Sequence, residues 1–425
     1  MKIPIAKNFY VKSSLFTVLS LIAAAFSYSL YPVLAHILTP RDFGDLAVTT
    51  TMLNQVLAFL LAINIVSIHL VKTHTEEDAR RYVQAIQKAL LWFFLGICTV
   101  VIIFSPLLKT LLKIDNLALF LPLALVLLAS IPITVWNGYL QGHKELIRVG
   151  LFSVGASFSK LVFGCIFGFL LGAVGALFGI LVGTLLGIVI LQLYPGVRLP
   201  SLSAVLRKTN KNDLLILSQL KFYVIQAVLV VGALGFLQGY DISLAKILFD
   251  PHTAGVYSGV GVLSYMLYYL SFILIWIVLP EINVQSPATN RRVLRTAYKI
   301  FVGMAFLAVT LEFIGGNILL PILLGSEYAG KTEWLILATL YQFTVVSIAL
   351  YSFYLLVCHK NRALLLVGYV LACCIIFPPL FSSSPQTMIQ TLLFSTIGGS
   401  VLYVITLTIY KFARHWMHIK YKKLQ

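Results

Sequence analysis

The chain has 425 residues, 60% of them hydrophobic and only 11% charged, with a formal net charge of +17. Soluble domains hold about 25% charged residues, so this composition excludes a water-soluble globular protein. Apolar runs of the ~20 residues that a helix needs to cross a ~30 Å hydrocarbon core recur along the whole chain.

Twelve such runs are read, within a few residues at each end, at 13–38, 45–70, 85–108, 116–139, 149–171, 174–194, 220–247, 254–280, 297–321, 333–358, 362–381 and 387–411. Lys2, Lys7 and Lys12 ahead of the first run, and Ala23, Ala24 and Ala25 inside it, resemble a secretory signal. The run continues to Leu38, too long for a signal, and its end recurs later in the chain, so it is read as a membrane helix.

The connections between runs alternate in charge. One side, with the N-terminal segment, 72–88, 141–148, 195–213, 281–299, Lys360, Arg362 and the tail, holds 24 of the 31 Lys and Arg residues. The other side holds 5: Arg41, Lys109, Lys113, Lys246 and Lys331. Basic connections stay in the cytoplasm, so both termini are predicted to be cytoplasmic. The positive charge is a topology signal and an attraction to anionic membrane lipids; no nucleic acid is expected. Segment 201–219 interleaves Arg207, Lys208, Lys211 and Asp213 with leucines and suits a helix lying in the interface.

Cys98, Cys165, Cys358, Cys373 and Cys374 sit in apolar runs or at the cytoplasmic edge and show no disulfide or metal-ligand spacing. No phosphate loop, metalloprotease pair or nucleophile elbow is present. The outward connections are too short for a catalytic domain, so neither an enzyme nor a cofactor is expected.

The chain reads as built twice. Leu34-Ala35-His36-Ile37-Leu38, followed by Pro40 and Gly44, matches Leu244-Ala245-Lys246-Ile247-Leu248, followed by Pro251 and Gly255, at an offset of 210–211. Gly142-His143-Lys144 is echoed by Cys358-His359-Lys360, and Val149-Gly150 by Val367-Gly368. Six helices per copy make the copies parallel, related by an axis along the membrane normal, an arrangement common in secondary transporters. The fold class is therefore all-α membrane protein, about 12 helices in two parallel six-helix repeats. The lobes are placed at 1–195 and 220–412, joined by a cytoplasmic linker at 196–219 and ending in a basic tail at 413–425.

The stretch Leu34–Gly44 also resembles the first outer turn of the oligosaccharide and polysaccharide flippases of the multidrug/oligosaccharidyl-lipid/polysaccharide exporter superfamily. The resemblance extends to 241–258, to Leu279-Pro280-Glu281-Ile282 and to Leu324-Gly325-Ser326-Glu327-Tyr328. It implies a V-shaped two-lobed bundle in the plasma membrane that carries a lipid-linked saccharide from the cytoplasmic to the outer leaflet by alternating access. A coupling ion, H+ or Na+, and glycan-assembly proteins as partners follow from the same resemblance. Two other readings stay open: a multidrug-type or other small-molecule exporter, and a non-transporting membrane scaffold or enzyme. The Asp-Arg-Gly turn expected of a major facilitator is absent from 71–78.

Polar residues inside apolar runs are the candidate site. Lys160 lies on a small and polar stripe with Ser153, Ser157, Gly164 and Gly168, facing away from lipid; an intramembrane ammonium suggests function, with structural pairing or snorkelling as the alternatives. Asn54 and Gln55 are candidates for sugar hydroxyls, opposite Tyr265 and Met266 in the repeat. Gln238 shares a helix face with Asp241, whose counterpart in those flippases is a recurrent acidic position. Asp241 is read as ion-coupling or as a structural hydrogen-bonding group. Glu312 is a second ion-coupling candidate, although Gly315 and Gly316 beside it suit a structural contact. Lys221 joins the substrate-binding candidates, with snorkelling at the cytoplasmic edge as its other reading. The glycines of runs five and six, spaced by four, are expected to pack helices. Tyr28, Tyr31, Tyr265, Tyr268 and Tyr269 either stack on sugar rings or anchor at the interface.

Overall fold

The computed structural model describes residues 4–73, 75–193, 221–278, 282, 287–359 and 361–422. The predicted linker 196–219 lies outside them. Twelve long helices account for nearly all of the described chain. They are α1 (Pro4–Ile37), α2 (Pro40–Thr73), α3 (Glu76–Ile103), α4 (Phe120–Gly142), α5 and α6 (together Leu146–Gln192), α7 (Lys221–Leu248), α8 (Pro251–Val278), α9 (Pro287–Leu324), α10 (Thr332–His359), α11 (Asn361–Phe381) and α12 (Pro385–Lys422).

The 47-residue run Leu146–Gln192 would be far longer than a bilayer is thick if it were straight. It breaks at Gly172, whose φ of 65° and ψ of −148° suit a residue without a Cβ. The break folds α6 back on α5 without a loop. A Cβ on Gly175 would sit 1.9 Å from the Phe167 carbonyl oxygen, and one on Gly179 would sit 2.1 Å from that of Phe163. Gly164 and Gly168 of α5 instead receive the side chains of Leu30 and Leu34 of α1. The glycine rows bring the α5 and α6 backbones together and seat α1 on α5.

Several helices begin on capping residues. Thr39 and Asp250 precede Pro40 and Pro251, each proline at a first helical position where its missing N–H costs nothing. Thr39 Oγ1 accepts from Asp42 N, and Asp250 Oδ1 accepts from the backbone N–H groups of His252 and Thr253. Thr75 caps α3, with Glu76, Glu77 and Asp78 on its positive end.

Helix ends depart from the apolar runs on the basic side. α3 begins at Glu76 instead of 85, α9 at Pro287 instead of 297, and α12 continues to Lys422 instead of 411. Hydropathy stops where charged residues begin, but backbone hydrogen bonding does not. On the opposite side the connections are short, at 38–39, 249–250, 325–331 and 382–384, the longest being 104–119, which carries a helical turn at Ser105–Leu111.

Helices α1–α6 pack among themselves, as do α7–α12, so the chain is a two-lobed all-α membrane protein. In the first group, α1 lies on α5 and α6, and α4 on α2 and α3; Trp136 of α4 donates to Gln87 of α3 at 2.9 Å, both buried. In the second, α8, α9, α11 and α12 gather around α10. The outer faces are apolar and exposed, as on α9 at Phe306, Phe313 and Ile314, as suits helices facing lipid.

The two groups meet where α2 packs along α7 and α8, whereas α1 touches α8 and α9 more sparsely. Gly44 and Gly255, equivalent in the repeat, lie against each other: a Cβ on Gly44 would be 2.8 Å from Gly255 Cα. Equivalent positions meet only on the axis that relates two copies. Contact here places the pseudo-two-fold axis between the start of α2 and the start of α8.

Candidate functional site at the lobe interface

Deeper along that axis lies a pocket lined by Tyr28 and Tyr31 of α1, Thr50, Thr51 and Asn54 of α2, and Val262, Tyr265 and Tyr269 of α8. Thr51 and Val262 are repeat-equivalent, as are Asn54 and Tyr265, so the pocket straddles the axis. Its lining offers hydroxyl, amide and aromatic groups and no charge.

The walls differ. On the α2 and α7 side the seam is tight, because Gly232, Gly235 and Gly239 of α7 receive Phe59, Ala58 and Thr51 of α2. Gln55 Nε2 also donates to the Phe236 carbonyl at 3.3 Å. On the α1 and α8 side the Tyr28 hydroxyl is shared between the carbonyls of Val262 and Leu263, at 2.5 and 2.7 Å.

Among the sequence candidates, Asn54 lines the pocket and Gln55 holds α2 to α7. Gln238 is buried, and its carbonyl accepts from Gln342 at 3.0 Å. Asp241 is fully buried and accepts from Tyr257 at 2.8 Å and Tyr265 at 2.9 Å. Tyr265 therefore connects the pocket to the carboxylate by one hydrogen bond. Glu312 lies between α9 and α10, outside the pocket lining, accepting from Thr339 at 2.7 Å; its other oxygen has no partner among the described residues.

Lys160 is partly buried on α5, its backbone against Gly183 of α6. The stripe that carries it faces α1, where Ser27 donates to Ser157 at 2.9 Å. Among the described residues no carboxylate pairs with its ammonium. The side chain of Lys221 lies outside the described residues.

Sequence reasoning counted Lys246 among the charges of an outer connection. It is instead fully buried, ion-paired across the lobes with Asp45, which no sequence argument singled out. The available signal was the recurrence of Leu34-Ala35-His36 as Leu244-Ala245-Lys246, which put a lysine at the lobe seam.

No protein-family model and no curated protein sequence matches the chain. Solved structures do. A structure of the lipid II flippase MurJ in an inward closed conformation superposes with a TM-score of 0.70 at 13% identity, over 93% of this chain and 87% of that one. An inward-facing multidrug resistance MATE family transporter of the MOP superfamily gives 0.65 at 13% identity, over 91% and 95%. A eukaryotic MATE transporter gives 0.65 at 14% identity, over 95% and 96%. The fold is that of these transporters. At such identities it is the arrangement of helices that is shared.

Proposed function

We propose that the chain is a plasma-membrane transporter, with both termini cytoplasmic, that moves a lipid-linked oligosaccharide or polysaccharide precursor to the outer leaflet by alternating access. The observation that carries this reading is the uncharged lining on the pseudo-two-fold axis, rich in tyrosine and hydroxyl groups; it encloses a cavity of only about 10 Å³ in this structure, so it would admit a saccharide only as the lobes part along the sparser α1 and α8 seam. Hydroxyl and amide side chains match sugar hydroxyls, and tyrosine faces match sugar rings. If the Tyr28 hydrogen bonds across the α1 and α8 seam release, a lipid tail can stay in the bilayer while its head group enters. Lys160, a cation without an acidic partner among the described residues, suits the phosphate of such a head group. Asp241, linked to the pocket through Tyr265, and Glu312 are proposed as sites where H+ or Na+ uptake is coupled to substrate movement. The proposed lobes are 1–195 and 220–412.

The likeness to MATE transporters favours a second reading, export of a small organic molecule. Reconstitution in liposomes separates the two. A labelled polyprenyl-linked saccharide should become accessible to an outside probe only in vesicles holding the protein, while a cationic dye should not be moved. Dye transport without saccharide movement would establish the second reading instead.

A further inference from the structure

Asp45 stands one residue past Gly44 on α2, and Lys246 lies near the end of α7, so their ion pair joins the two halves of the chain. Both side chains are buried, Lys246 to 0% exposure and Asp45 to 2%. The second Asp45 oxygen accepts from the backbone N–H of Asp115 at 2.9 Å, and the Asp115 carboxylate holds Arg41. A second lysine crosses the boundary in the other direction: Lys113 Nζ donates to the Phe249 carbonyl at 2.7 Å, at the negative end of α7. Gly44 and Gly255 sit beside these contacts, with room for no side chain between them. All of them cluster at the Arg41 end, ahead of the tyrosine pocket.

We propose that the Asp45–Lys246 pair is the latch that keeps the Arg41 end of the lobe interface shut. A buried ion pair gains Coulomb attraction and loses hydration, two large terms that nearly cancel, whereas either charge buried alone has no compensation. Such a pair closes the seam specifically yet opens readily, because both charges regain water as the lobes part. The latch has a single arm, since the repeat places His36 where Lys246 stands and Val256 where Asp45 stands.

The test is the distance between nitroxide labels at Asn116→Cys and Ala329→Cys, exposed positions at this end of the two halves. The labels are introduced in full-length protein with the five native cysteines replaced. The parent should give a short, narrow distribution. Lys246→Met and Asp45→Asn should each shift it to longer, broader distances. Should the single variants fail to fold, Asp45→Asn with Lys246→Gln leaves no lone charge and should still lengthen the distance. An unchanged distance in the folded single variants or in the neutral pair overturns the latch. No substrate enters the measurement, so failure of the saccharide reading leaves its outcome intact.

Discussion

A Cβ on Gly255 would sit 1.9 Å from the Pro40 carbonyl oxygen, a backbone atom that cannot swing aside. Gly255→Ala should therefore push α2 and α8 apart, at the ~1–3 kcal/mol typical of overpacking. The measurement is thermal unfolding in detergent together with the label distance described above; an unchanged midpoint and distance would contradict the contact. Gly172 carries a different demand, since its φ and ψ lie in a region essentially restricted to glycine. Gly172→Ala should cost ~1–3 kcal/mol of strain and lower the midpoint with no change at the lobe seam. Tyr265→Phe removes one of the two tyrosine donors from the buried Asp241 carboxylate. Loss of such a bond costs ~1–3 kcal/mol, and if the pocket is coupled to Asp241, transport should become less dependent on the driving ion than in Tyr257→Phe.

Elements are held by their ends as well as by their faces. Helix α8 starts on Asp250, whose carboxylate takes the N–H groups of His252 and Thr253 and is held below the ordinary carboxyl range, first by the hydrogen bonds of Thr253. Asp250→Ala should remove ~1 kcal/mol, read as a lowered unfolding midpoint. A carboxyl with a depressed pKa in the folded state stabilises above its unfolded pKa and loses that contribution as pH falls through the folded value. The gap between native and Asp250→Ala proteins should therefore close in acid. A gap that persists there would assign the effect to something other than the charged cap.

For the whole molecule, sidedness follows from the charge contrast between connections, and single-cysteine labelling of intact cells checks it. Residues in 72–88 and 195–213 should resist a membrane-impermeant reagent, while residues in 325–332 should react; outside labelling at 205 would invert the assignment. Lys160 belongs to this scale because its role depends on cargo. If its ammonium meets a lipid phosphate, Lys160→Ala should abolish most flipping at normal protein level, and Lys160→Arg should retain part. Unimpaired flipping by well-expressed Lys160→Ala would remove it from the path.

The amino-acid sequence by itself determined the helical membrane architecture, because crossing a bilayer is a local requirement: ~20 apolar residues that satisfy their own backbone. The repeat was legible for the same reason, through Pro40 and Pro251, Gly44 and Gly255, each recurring where a helix must start or make close contact. The glycine rows of α5 and α6 were also read correctly as packing surfaces, since their spacing of four is set by helix geometry. Charge beyond the apolar stretch hid the true starts of α3 and α9 and the end of α12, because hydropathy does not register helix that continues into water. Pairings between distant positions were decided only by the tertiary structure. Nothing near Lys246 in the chain names Asp45 as its partner, and nothing near Asp241 names Tyr257 and Tyr265 as the donors that bury it. Whether an ionisable side chain is paired or left open depends on what a neighbouring helix brings to it, from the next helix of the same lobe for Asp241 and from the other lobe, 201 residues away, for Lys246.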